Sequence, residues 1–259
     1  MEIGEIKKTI VQIFAMVELE FRRVFHDPTE MITRAIQPIL WLVVFGGVMN
    51  RAGVFSNIIK SDYTTYVTPG VILQSATFIA LAYGIMLVFE RESGILKRLL
   101  ASPIPRLNII LGRSLAGAIR GSIQYLIIIP LAFLIGANLV PSLINLTLGY
   151  IFITYGLIGF TSISIAIASL LKTRERFMGI IGAITMPLFF ASNALYPLEV
   201  MPAWVKVIAD YNPLTYIISG LRNLLIYNSL NIIFDFFALT IFNLLAIFLA
   251  VISIHRIIE

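Results

Sequence analysis

The sequence predicts an all-α integral membrane protein: six transmembrane helices, an N-terminal amphipathic interfacial helix, and short re-entrant helices before the last span. Three observations predict it. Of the 259 residues, 59% are hydrophobic and 13% charged, against about 25% charged in soluble domains. A soluble chain of this size could not cover its surface with so little charge. Six apolar runs approach or exceed the roughly 20 residues a helix needs to cross the hydrocarbon core. Lys and Arg gather in alternate loops, as they do in the cytoplasmic loops of membrane proteins. The same composition excludes disorder, which needs few apolar residues. The absence of Cys excludes disulfide stapling, thiol chemistry and Cys-ligated metals.

Residues 1–26 read as an amphipathic helix, set apart from the six-span domain of residues 27–259. Ile6, Ile10, Ile13, Phe14, Val17, Phe21 and Val24 recur at helical spacing. Lys7, Lys8, Glu18, Arg22 and Arg23 lie mostly elsewhere, so the helix is expected to rest on the cytoplasmic leaflet. Glu2, Glu5, Glu18 and Glu20 rule out a signal peptide. Asp27-Pro28-Thr29-Glu30 then has the pattern of a capping box that starts a new helix.

The expected spans are residues 32–49, 63–89, 107–136, 143–171, 177–194 and 232–254. Between the last two, an apolar stretch is broken by Pro202 and by Asn212-Pro213. That pattern suits re-entrant helices, expected over residues 197–226, better than a clean span. Fourteen of the 19 basic residues fall on the side that takes both termini, the loop after the second span and the loop after the fourth. The positive-inside rule makes that side cytoplasmic and the chain a multi-pass protein of the cytoplasmic membrane. There is no basic block of the kind that binds nucleic acid.

Signals for catalysis are few. His26 and His255 sit near opposite ends of the chain, and no metal-ligating or Ser-His-Asp pattern accompanies them. No Gly-Lys pair occurs, so the ATP-cradling loop is missing and the chain is not expected to be an enzyme, or to bind a cofactor or metal, by itself. No acid lies deep in a span, which argues against coupling to protons or sodium. Arg120 alone is well inside one: either it snorkels or pairs with a neighbouring helix, or it makes a polar contact that moves during transport.

The most informative segment is Glu90-Arg91-Glu92-Ser93-Gly94-Ile95-Leu96-Lys97-Arg98-Leu99-Leu100-Ala101-Ser102-Pro103. Ile95, Leu96, Leu99 and Leu100 form an apolar stripe on a short helix that Pro103 and Pro105 stop. It reads either as a surface helix or as a stiff lever for a cytoplasmic partner. Two further stretches follow in order: Leu195-Tyr196-Pro197-Leu198-Glu199-Val200-Met201-Pro202-Ala203-Trp204, and Asn212-Pro213-Leu214-Thr215-Tyr216-Ile217-Ile218-Ser219-Gly220-Leu221-Arg222. Together the three resemble the ABC transporter type-2 permeases over essentially the whole chain, and most of all the daunorubicin-resistance-like exporter branch.

That resemblance implies a membrane subunit paired with a second permease copy, each engaging a separate ATP-binding subunit that holds ATP and Mg. Residues 90–102 would match the family's coupling helix, with Glu90, Arg91, Glu92, Gly94, Ile95, Leu96, Arg98, Leu99 and Leu100 at the contact. Lys172, Arg174 and Glu175 would form a second cytoplasmic contact, or simply a positive anchor. Tyr196, Pro197, Asn212, Pro213 and Arg222 would belong to the outer re-entrant region. The first and fifth spans would face each other across the dimer axis, making Gln37, Trp41, Phe45, Thr185, Phe189, Phe190 and Asn193 candidate pathway residues, with lipid-facing or packing roles as the alternative. The expected activity is ATP-driven export of a hydrophobic or amphipathic drug or lipid. A glycan permease of the same superfamily, a stand-alone channel or ion-coupled carrier, and a non-transporting scaffold are the alternatives.

Overall fold

The computed structural model describes residues 3–26, 29–53, 57–59, 61–171 and 173–255. The described residues form helices and connecting turns, without strands. The capping box expected at residues 27–30 depends on Asp27 and Pro28, which lie outside the described residues.

Helix α1 (Ile3–His26) runs beside α7 (Arg106–Leu134). Asn108 near the start of α7 donates to Thr9 Oγ1 at 3.2 Å and Gln12 Oε1 at 2.8 Å. Further along, Arg120 pairs with Glu20, so the two helices are parallel. The docked face of α1 therefore includes polar side chains. Ile10, Val11, Phe14 and Phe21 are left exposed.

The first span runs through α2 (Thr29–Leu40), a π-helical turn over Trp41–Gly46, and α3 (Gly47–Ala52). The second consists of α4 (Tyr63–Ala82) and α5 (Ile85–Glu92), broken at Tyr83-Gly84. Ser164 fills that break: the Gly84 N–H donates to Ser164 Oγ at 3.0 Å, and the Ser164 hydroxyl donates to the Leu81 carbonyl. A side chain inserted into the helical ladder is a known cause of kinking. Only glycine fits there, because a Cβ at Gly84 would lie 2.7 Å from the Ser164 carbonyl oxygen and 2.9 Å from the Phe177 ring.

After the short α6 (Ile95–Leu100), α7 returns across the bundle and α8 (Leu143–Leu170) follows it antiparallel. α8 is the central helix, packed against α7, α12 (Ile233–His255), α4 and α11 (Pro213–Leu225). Several of its hydroxyls are bonded inside the bundle; Ser162, for example, lies 2.8 Å from Ser114 of α7.

Five helices among the described residues are long and apolar enough to span a membrane: Met31–Ala52, Tyr63–Glu92, Arg106–Leu134, Leu143–Leu170 and Ile233–Ile254. The remaining expected span, residues 177–194, is carried by α9 (Arg174–Phe190), which has 17 residues. Its rise of about 25 Å falls short of a hydrocarbon core of about 30 Å. It opens with the polar Arg174-Glu175-Arg176, and after Pro187 the chain leaves the helix for turns over residues 191–196. In the region expected to hold re-entrant helices lie a 3-10 turn (Leu198–Val200), α10 (Ala203–Tyr211) and α11.

Candidate functional site

Three places carry the residues singled out by the sequence: the α6 end of the bundle, a groove between α2, α4 and α9, and a cavity at the opposite end.

At the α6 end, Gly94 joins α5 to α6 with φ +73°, a left-handed conformation that glycine adopts without a Cβ clash. The sharp turn lays α6 against the bundle. Leu96 is fully buried, whereas Ile95, Lys97 and Arg98 are exposed and Leu99 and Leu100 half-buried. The three charged residues before Gly94 turn back onto the chain. Glu90 pairs with Arg113 of α7. Arg91 donates to the carbonyls of Ser169 and Leu171, at 3.2 and 3.4 Å, closing the C-terminus of α8. Glu92 accepts from Arg174 Nε at 2.9 Å, and the Arg174 guanidinium lies 3.3 Å from the centroid of the Phe89 ring. The two expected cytoplasmic contacts are thus joined by Glu92 and Arg174. Glu175 is exposed beside them, and Lys172 lies outside the described residues.

The groove encloses about 350 Å³ between α2, α4 and α9. Gln37, Thr185 and Phe189 of the expected pathway set all line it, with Arg34, Gln74 and Phe78. Phe78, Met186 and Phe189 line it together with the amides of Gln37 and Gln74 and the hydroxyls of Thr33, Ser75 and Thr185, as suits an amphipathic molecule. A second cavity of about 380 Å³ adjoins it through Arg34 and Ile79 and reaches Glu90 and Arg120.

The other pathway candidates lie elsewhere. Trp41 meets Phe45 at a tilt with ring centroids 5.0 Å apart, and Phe45 meets Tyr63 edge-on at 6.0 Å. The π-helical turn gives these rings a packing role against α4. Phe190 is partly exposed and contacts Phe189.

Asn193 belongs to the cavity at the opposite end, about 530 Å³ in volume, with Tyr66, Pro197, Glu199 and Arg222. Asn212 accepts from the Leu214 N–H at 3.0 Å as the N-cap of α11, with Pro213 in the first turn. Its amide also donates to the carbonyls of Leu188 and Ala191, tying α11 to the end of α9. The Tyr196 hydroxyl donates to the Phe190 carbonyl, and burial raises the Tyr196 pKa.

Sequence reasoning missed Glu20, Arg113 and Tyr66 as partners, and Gln74 as a lining residue. Arg34 carried a signal, since it shares a helical face with Gln37 three residues on.

An all-helical apolar bundle with an amphipathic groove along one flank and a stiffly mounted basic helix at one end defines a multi-pass membrane permease. The model of the ABC-2 type transporter family matches residues 11–226, and the chain belongs to that family. It is 31% identical over 236 residues to a protein of Cyanophora paradoxa named "Putative transport permease ycf38", covering 91% of this chain and 81% of the relative. The daunorubicin resistance ABC transporter permease protein DrrB1 of Streptomyces coeruleorubidus is 23% identical, with 77% and 70% covered. A protein of Escherichia coli K12 named "Probable multidrug ABC transporter permease YbhR" is 31% identical over 160 residues, 60% of this chain and 42% of that one. The chain is thus an ABC-2 permease of an ABC transporter, a type that works with ATP-binding subunits.

Proposed function

We propose that this permease exports a hydrophobic or amphipathic compound, drug-like or lipid-like, from the cytoplasm. Energy comes from ATP and Mg bound by two copies of a separate ATP-binding subunit, and a second copy of this chain completes the complex. The complex sits in the cytoplasmic membrane with both termini and α6 on the inner side. The relatives named for multidrug, daunorubicin and doxorubicin resistance support the substrate class.

The observation that carries the reading is the mounting of α6. Leu96 is buried while Ile95, Lys97 and Arg98 face outward, and Glu90 and Glu92 are anchored to α7 and α9. A partner seated on that outer face moves three helices at once. ATP drives the cycle by favouring one arrangement of the partner over the other.

The test is ATP-dependent flux by the complex of this chain with its ATP-binding subunit, reconstituted in proteoliposomes. Ile95→Glu, on the outer face, is expected to abolish assembly or coupling while the permease stays folded. Intact assembly and transport in that variant would overturn the coupling role. Transport by this chain alone under an ion gradient would overturn the ATP-driven reading.

A further inference from the structure

The cavity at the α10–α11 end contains a charge that its own surroundings do not neutralise. Arg222 is 5% exposed. Its Nε donates to the Tyr66 carbonyl at 3.2 Å, and its Nη2 to the carbonyls of Asn193 and Ala194 at 2.7 and 3.3 Å. The guanidinium also lies 3.6 Å from the centroid of the Tyr66 ring. These partners are neutral, and among the described residues no carboxylate pairs with it and no acceptor meets Nη1. A buried cation held by carbonyls and a ring face, with no carboxylate, keeps its full charge and seeks an anion.

A second observation points into the same space. Asn193 is 5% exposed and donates through Nδ2 to Ser219 Oγ at 3.0 Å, yet its Oδ1 has no partner. Both residues line the 530 Å³ cavity, whose other wall is apolar through Ile58, Ile59 and Leu198. Glu199 is exposed at the rim, where water weakens its claim on the Arg222 charge.

The geometry points to this cavity as a binding site for a phosphodiester headgroup that carries a hydroxyl or amine, the chemistry of a glycerophospholipid. Arg222 Nη1 takes the phosphate oxygen, Asn193 Oδ1 accepts from the headgroup hydroxyl or amine, and the Ile58–Leu198 wall receives the first apolar atoms. The site deepens the export reading by giving that transport path a phosphate-reading station at the α10–α11 end. Binding here needs no ATP, so a failed flux assay leaves the site standing, and a failed binding assay leaves export standing.

The experiment is a lipid titration of the purified full chain in detergent, read by native mass spectrometry. The probes are phosphatidylglycerol, diacylglycerol with the same acyl chains, and free glycerol phosphate as competitor. One phosphatidylglycerol is expected to be retained per chain at concentrations where diacylglycerol is not. Ser219→Asp keeps an acceptor for Asn193 and places a carboxylate one helical turn from Arg222, and it is expected to weaken binding at least tenfold. If that variant unfolds, Asn223→Asp puts the charge on the same wall. Displacement by glycerol phosphate would support the phosphate site with a soluble source. Equal retention of diacylglycerol, or unchanged affinity in a folded aspartate variant, would overturn it.

Discussion

Glu20 of α1 and Arg120 of α7 form an ion pair largely shielded from water, with side chains 4% and 13% exposed. The pair fixes the level of α1 along α7 and gives the membrane-embedded Arg120 a structural partner. Removing one member leaves a buried charge, at a cost of roughly 3–5 kcal/mol. Arg120→Ala is therefore expected to destabilise far more than the double change to Glu20→Gln and Arg120→Gln. Thermal unfolding in detergent, run as a double-mutant cycle, measures the difference; equal losses would refute the pairing as a stability element.

Gly84→Ala tests the break between α4 and α5. The added methyl meets the Ser164 carbonyl and the Phe177 ring, and overpacking of this kind costs about 1–3 kcal/mol. The variant is expected to unfold at a lower temperature. It is also expected to lose ATPase stimulation in the assembled complex, because α5 carries α6. An unchanged melting temperature would show that the break is not held tightly.

Glu92→Gln separates stability from coupling. The Glu92 and Arg174 side chains are 39% and 40% exposed, so the pair contributes about 1 kcal/mol or less. Melting is expected to move little while transport per ATP falls. Parallel losses in stability and transport would assign the pair a folding role only.

Thr185→Trp fills the groove between α2, α4 and α9, since Thr185 lines it with Gln37 and Phe189. Binding of the ATP-binding subunit is expected to survive and flux to drop at least tenfold. Flux at the parental level would exclude the groove from the path.

Asp62 gives a pH signature. It caps α4, accepting from the Thr65 N–H at 3.0 Å, the Thr65 hydroxyl at 2.8 Å and Asn138 Nδ2 at 2.9 Å. Burial pushes its pKa up, but the bonds from Asn138 and Thr65 outweigh it and hold the carboxyl below its ordinary value. A depressed folded value means stability is fully present above about pH 4 and is lost as pH falls through the lowered value. Asp62→Ala is expected to cost about 1 kcal/mol at neutral pH and less in strong acid. Melting curves across pH read this directly.

Apolar run length made the spans legible, and Pro202 and Asn212-Pro213 marked the re-entrant helices, because both are local properties of the chain. The α6 segment was legible for the same reason: its stripe and stop lie within fifteen residues of one another. Partners were not. Glu20 meets Arg120, Arg91 meets the carbonyl of Leu171, and Arg222 meets that of Tyr66. Each pairing is set by how distant helices pack, which periodicity in one helix does not encode. The pathway set divided for a related reason. Gln37 faces the groove, but the widened turn at Trp41–Gly46 shifts the angular register that would have placed Trp41 and Phe45 beside it. The end of α9 was placed four residues too late, because the chain turns at residues 191–194, where Asn212 ties off the carbonyls of Leu188 and Ala191.

The two acids that flank Arg91 are fastened to different helices, Glu90 to α7 and Glu92 to α9. A load on α6 is therefore divided at its root. One share enters the half of the bundle that includes α1, and the other enters the short helix bordering the groove. In the proposed cycle, a uniform push on α6 then moves α9 relative to α7 wherever these two shares are unequal.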